Sequence, residues 1–109
     1  MLLRKDDEAV DVTFADDDDL DSLEKDEAAK TRFAENIVRA FRRRMQQLRN
    51  AKDERDLWAL RSLKFEKLKG KRSHQHSLRL NDQWRLIVEI EKGNPKNTLR
   101  IKGIEDYHH

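Results

Sequence analysis

A change in hydrophobic period along the chain limits its fold more than any other feature. Phe33, Ile37, Phe41, Met45 and Leu48 recur at three- and four-residue steps, which places them on one stripe of a helix. Further on, "HSLRL", "QWRLIVEI" and "NTLRIKGI" alternate apolar and polar residues, the period of half-buried strands. Between these regions "DERDLWALRSL" predicts a shorter helix capped by Asp53, with Leu57, Trp58, Leu60 and Leu63 turned inward. Near the start, "AVDVTFA" alternates Val10, Val12 and Phe14 as a first strand. "DDDDLDSLEKDEAAK" supplies aspartates that cap a helix and oppose its dipole. It lacks the spacing and glycine of an EF-hand, so a capped helix start is expected there rather than a calcium loop. "NDQ" marks a tight turn and "KGNPKN" a looser one.

This order predicts an α+β domain: an N-terminal strand, two to three helices, and three strands in a small antiparallel-rich sheet packed under the helices. Residues 1–9 are expected to form a flexible extension and residues 10–109 a single domain. The chain has no cysteine, which rules out disulfides and thiolate zinc sites and suits a reducing cytosol. No apolar run reaches the roughly 20 residues that span a bilayer, so no membrane role is expected.

Charge is divided unevenly along the chain. Residues 1–30 hold four Lys or Arg against twelve Asp or Glu, whereas the rest holds twenty against ten. A basic body behind an acidic front suits a polyanionic partner, although an ordinary solvated surface has the same composition. The face of the long helix with Arg39, Arg42, Arg43 and Arg49 is open to both readings. Along the strands, alternation puts Trp84, Leu86, Val88 and Ile90 on one face and Gln83, Arg85, Ile87 and Glu89 on the other. Leu78 and Leu80 share a face, leaving His76, Ser77 and Arg79 as polar positions. With Lys69, Arg100 and Lys102 nearby, such a face can follow an RNA backbone and stack a base.

The stretch "FEKLKGKRSHQHSLRLNDQWRL" (65–86), followed by "GIEDYH" (103–108), resembles the HigB branch of the RelE superfamily of bacterial toxins. The resemblance covers roughly residues 10–108 and is strongest from Leu57 onward. It implies a RelE-like fold with its site on the concave face of the sheet. It also implies a toxin that cuts messenger RNA on the translating ribosome, with a cognate helix-turn-helix antitoxin (HigA-like) as partner. Operator DNA would then be bound only through the antitoxin complex, and the toxin would act in the bacterial cytoplasm.

Residue by residue, the resemblance assigns Lys69 to phosphate neutralisation, Arg85 to the scissile phosphate, and Asp106, Tyr107 and His108 to positioning and proton transfer. Glu66 stands where some family members carry histidine; a glutamate there is a weaker base at neutral pH. Lys67, Lys71, Arg72, His76, Arg79 and Arg100 are expected RNA contacts. His74 stands where the branch more usually has glycine. The "HQH" and terminal "HH" pairs look like metal ligands, with His74 and His76 on one strand face. No third ligand is fixed by sequence, and no metal or other cofactor is expected. A non-catalytic module that binds RNA or the ribosome and blocks translation is the alternative. A direct DNA binder is weaker, because only the arginines of residues 39–49 would supply a recognition helix.

Overall fold

The computed structural model describes residues 9–15 and 19–107. Strands β1 (Asp11–Phe14), β2 (Glu66–Lys67), β3 (Gln75–Arg79), β4 (Trp84–Glu91) and β5 (Thr98–Asp106) form one sheet in the order β1-β5-β4-β3-β2. β1 runs parallel to β5, and every other neighbouring pair is antiparallel. A parallel pair needs a long connection, and the rest of the chain provides it. β3 and β4 are joined by the turn expected at "NDQ", where Asn81 Oδ1 accepts from the backbone N–H of Gln83 and Trp84 at 2.8 Å each.

The helices are α1 (Leu20–Lys25), α2 (Glu35–Asn50) and α3 (Glu54–Ala59). The α2 stripe is core: Ile37, Val38, Phe41, Met45 and Leu48 pack with Leu78, Leu86, Val88, Leu99, Ile101 and Ile104 of the sheet. Phe33 precedes the helix, is only half-buried, and meets Trp84 edge-on at 5.9 Å. Two arginines of α2 are structural ties. Arg42 donates to the carbonyls of Leu23 and Asp26 at 2.9 and 3.1 Å, and Arg49 grips Glu24 through both carboxylate oxygens at 2.5 and 2.6 Å. They hold α1 beside α2. Arg39 and Arg43 remain exposed.

Two expectations need correction. The helix read over residues 16–30 is limited to Leu20–Lys25, because Asp26 is extended and its carboxylate accepts from the Ala28 N–H at 2.9 Å, a local turn that competes with the helix. Asp16, Asp17 and Asp18 lie outside the described residues. Trp58 and Leu60 do not face inward; they are 49% and 39% exposed, while Leu57 and Leu63 are buried. Asp53 does cap α3, accepting from the Arg55 N–H at 2.8 Å. The helical period then breaks at extended Leu60 and restarts as a 3-10 turn over Arg61–Leu63. Of the expected extension, residues 1–8 lie outside the described residues, while Ala9 is buried.

β5 contains one extra residue. Gly103 stands opposite Ile87 and Ile101 opposite Val88, so Lys102 has no partner across the ladder and forms a bulge. The bulge reverses the facing of all that follows. Leu99 and Ile101 face the core at odd positions, but beyond it Ile104 does so at an even one. Glu105 and Tyr107 therefore fall on the opposite face, with Arg85. Phe41→Ala removes a fully buried ring and is expected to cost about 3–5 kcal/mol. A lower urea midpoint with an unchanged slope would show it.

Candidate active site

On the face away from the helices, strand register gathers a small polar cluster. Glu66 lies opposite Ser77, Arg79 opposite Arg85, and Arg85 opposite Glu105. Tyr107 follows directly after β5, anchored by its backbone N–H to the Gln83 carbonyl at 2.6 Å. Arg85 is at the centre and its side chain is only 7% exposed. Its Nε donates to Ser77 Oγ at 3.2 Å, and its Nη2 donates to Ser77 Oγ at 2.9 Å, the Ser77 carbonyl at 3.3 Å and the Lys64 carbonyl at 2.6 Å. The Tyr107 ring centroid lies 5.0 Å from the guanidinium carbon, within cation–π range. Glu66 Oε1 lies 3.7 Å from Nη2 and accepts the Tyr107 hydroxyl at 2.7 Å.

Local backbone shape makes this possible. Lys64 closes the Arg61–Leu63 turn in the left-handed region, at φ 44°, a conformation costing a non-glycine residue about 1–2 kcal/mol. The resulting bend carries the chain into β2 and leaves the Lys64 carbonyl on Arg85. Burial depresses the Arg85 pKa, and the Glu66 carboxylate opposes that shift; a guanidinium stays charged at neutral pH regardless. The Tyr107 phenol is raised above its ordinary 10.0, first by its bond to Glu66 and then by burial, against the Arg85 charge. At neutral pH it is therefore a proton donor.

The other candidates lie around or away from this cluster. Lys69 and Lys71 are exposed, the first just before and the second within the 3-10 turn Gly70–Arg72, whose Gly70 has φ +65°. Arg72 is engaged in a two-pronged pair with Glu105 at 2.9 and 2.7 Å. Arg79, on the Arg85 face, pairs with Asp82. Arg100 is half-buried opposite Glu89. Lys67 lies opposite His76, and both fall on the other face of the sheet by alternation. His76 stacks on Phe65 at 4.9 Å and meets Trp58 edge-on at 6.2 Å, so it is not on the polar face with Ser77 and Arg79. His74 instead approaches Glu89 at 3.4 Å, and the two histidines do not share a face. Asp106 lies opposite Trp84 and accepts from Gln83 Nε2 at 3.0 Å, away from Arg85. His108 and His109 lie outside the described residues.

Sequence reasoning missed two members of the cluster. Ser77 was legible only as a polar strand position, and the Lys64 carbonyl leaves no side-chain signal at all. Among the described residues, no group of three or more His, Cys, Asp or Glu is placed to hold a metal ion, and no helix is long and apolar enough to cross a membrane.

The family profile described as "RelE-like toxin of type II toxin-antitoxin system HigB" matches residues 12–104. Among solved structures, the chain is similar to a YoeB/ParE toxin from Agrobacterium tumefaciens, with a TM-score of 0.60 and 13% identity. That match covers 91% of this chain and 100% of the other. It is also similar to YafQ from E. coli strain BL21(DE3), with a TM-score of 0.57 and 16% identity over 90% of this chain and 93% of the other. Both share its fold. No curated protein sequence matches.

Tyr107 is the only tyrosine, so the tyrosinate absorbance band follows it alone as pH rises. Glu66→Gln removes the carboxylate partner, and the phenol is expected to titrate at lower pH than in the wild type. The raised phenol makes its own contribution to stability below pH 10, lost as pH climbs through the folded value. His76 gives the opposite sign. Burial first, with the Lys67 and Lys92 charges behind it and the Glu54 carboxylate opposing, depresses its pKa below 6.5, so the folded state binds fewer protons there than the unfolded chain. Stability is expected to fall as pH drops below about 6.5, and His76→Phe should flatten that part of a urea-midpoint-against-pH curve.

Proposed function

The chain belongs to the HigB-like family of RelE-like toxins of type II toxin–antitoxin systems, and from that premise we propose that it is an endoribonuclease that inhibits translation by cutting ribosome-bound messenger RNA. The observation that carries this reading is the Arg85 cluster: a fixed, nearly buried cation with a protonated phenol and a carboxylate beside it, on one face of a sheet.

RNA carries its own nucleophile. The 2′-oxygen bonds to phosphorus as the bond to the 5′-oxygen breaks, leaving a 2′,3′-cyclic phosphate and a 5′-hydroxyl, so the route calls for no metal ion. Three tasks fall to the protein: taking the 2′-hydroxyl proton, stabilising the extra charge on the five-coordinate phosphate, and returning a proton to the leaving oxygen. In this proposal Arg85 and Lys69 stabilise the phosphate, with Lys71, Arg72, Arg79 and Arg100 as candidate contacts along the RNA, while Lys67 and His76, on the other face of the sheet, take no part. Glu66 is the base, Tyr107 donates a hydrogen bond or stacks on a base, Asp106 helps position the terminal residues, and His108 is the acid. Orientation of the message in the ribosome supplies the rest of the rate, so that modest acid–base groups suffice.

The proposed setting is a bacterial cytoplasm. A helix-turn-helix, HigA-like antitoxin is the proposed partner, and operator DNA is bound only through that complex.

Induction of the toxin in a bacterial host tests this directly. Growth arrest with cuts inside translated messages is expected for the wild type. Arg85→Ala should reduce cutting by about 10²–10³-fold, the usual effect of deleting one donor to a developing oxyanion. His108→Ala should also relieve the arrest. Arrest that persists with intact messages would favour instead a non-catalytic module that occupies the ribosome.

A further inference from the structure

Ser77 has no role assigned so far, yet it is the most completely buried polar residue at the cluster, at 0% exposure. Its hydroxyl oxygen accepts from both Nε and Nη2 of Arg85. These two donors lie on the same edge of the guanidinium, and that edge is one of the forks with which arginine grips a phosphate through two parallel bonds. Here the protein occupies it. The Ser77 and Lys64 carbonyls take up Nη2 further. Among the described residues, Nη1 makes no hydrogen bond.

We propose that Ser77 is the positioning residue for Arg85: by occupying the Nε–Nη2 edge it fixes the guanidinium beneath Tyr107 and leaves Nη1 as the donor available to a phosphate oxygen. The assignment rests on the ribonuclease reading above for its catalytic consequence, but its geometric content is independent of it. Without the Ser77 hydroxyl, the guanidinium loses the acceptor shared by Nε and Nη2 and keeps only the Ser77 and Lys64 carbonyls on Nη2, so its plane is free to pivot about Nη2 and turn its fork away from the reacting position. A displacement of about 1 Å in a charge-stabilising group is enough to cost about 10²-fold in rate. Ser77 would act on the reaction only through Arg85.

The test compares the wild type with Ser77→Ala, Ser77→Cys, Ser77→Thr, Arg85→Ala and the Ser77→Ala/Arg85→Ala double variant. Cysteine fills the space of serine with a weak acceptor, whereas threonine keeps the hydroxyl. It therefore keeps the question open should the alanine variant fail to fold. Single-turnover cutting of ribosome-bound message is one measurement, and the tyrosinate titration of Tyr107 is the other. The expected result is a loss of about 10²-fold in the cutting step for the alanine and cysteine variants, with message affinity little changed and recovery in the threonine variant. In the Arg85→Ala background, Ser77→Ala should add no further loss. The tyrosine should titrate at higher pH in Ser77→Ala and Ser77→Cys, because the Arg85 charge that favours its ionised form has moved away.

Equal losses from Ser77→Ala with and without Arg85 would overturn the proposal, as would an unmoved tyrosine titration in the folded cysteine variant. A wild type that cuts no message would overturn the ribonuclease reading alone, since the tyrosine titration would still decide whether Ser77 sets the place of Arg85.

Discussion

The structure turns on one buried cation. Placing a guanidinium in a sheet interior is costly unless its N–H groups find oxygen, and three parts of the chain meet that demand. β3 contributes the hydroxyl and carbonyl of Ser77, the bend at Lys64 contributes a carbonyl, and β2 contributes the nearby Glu66 carboxylate. The strained φ of Lys64 is then understandable: a relaxed backbone there would not leave its carbonyl on Arg85. The bend at Lys64 leads directly into β2, a strand of only two residues at the sheet edge that carries Glu66 to Arg85.

The bulge at Lys102 is the second determinant. It lets β5 give Leu99, Ile101 and Ile104 to the core and still deliver Glu105 and Tyr107 to the polar face. A regular strand of the same sequence would have to surrender one or the other, because facing alternates strictly in an unbroken ladder. The core and the candidate site are thus reconciled by one unpaired residue.

How much of this was legible in the sequence varied with the range of the interaction responsible. Periodicity identified α2 and the three C-terminal strands, since burial of a stripe or a face is written locally. It also separated Arg85 from Leu86 and Val88 correctly. It failed at Trp58, which lies within the short helix yet is half exposed, at Leu60, where that helix has already ended, and at His76, whose partners Phe65 and Trp58 come from other segments. The terminal Asp-Tyr-His stretch was legible as a motif. That Asp106 and Tyr107 fall on opposite faces follows from alternation, but which of them joins Arg85 depends on the bulge. The Lys64 carbonyl was beyond reach, because no side chain encodes it.

Strand order has an electrostatic consequence of its own. β1 and β2 occupy opposite edges of the sheet. In α1, Glu24 is paired with Arg49 of the long helix and Asp21 with Lys25, while Lys67, Lys69 and Lys71 stand exposed at and beside the β2 edge. Among the described residues these three lysines make no ion pair, so positive charge is concentrated toward the β2 edge despite a formal net charge of only +2. In the field of a polyanion that edge is drawn forward before contact is made. That alignment weakens once separation exceeds the screening length of roughly 8–10 Å at physiological salt, so it acts on the final approach and orients capture without needing a large overall charge.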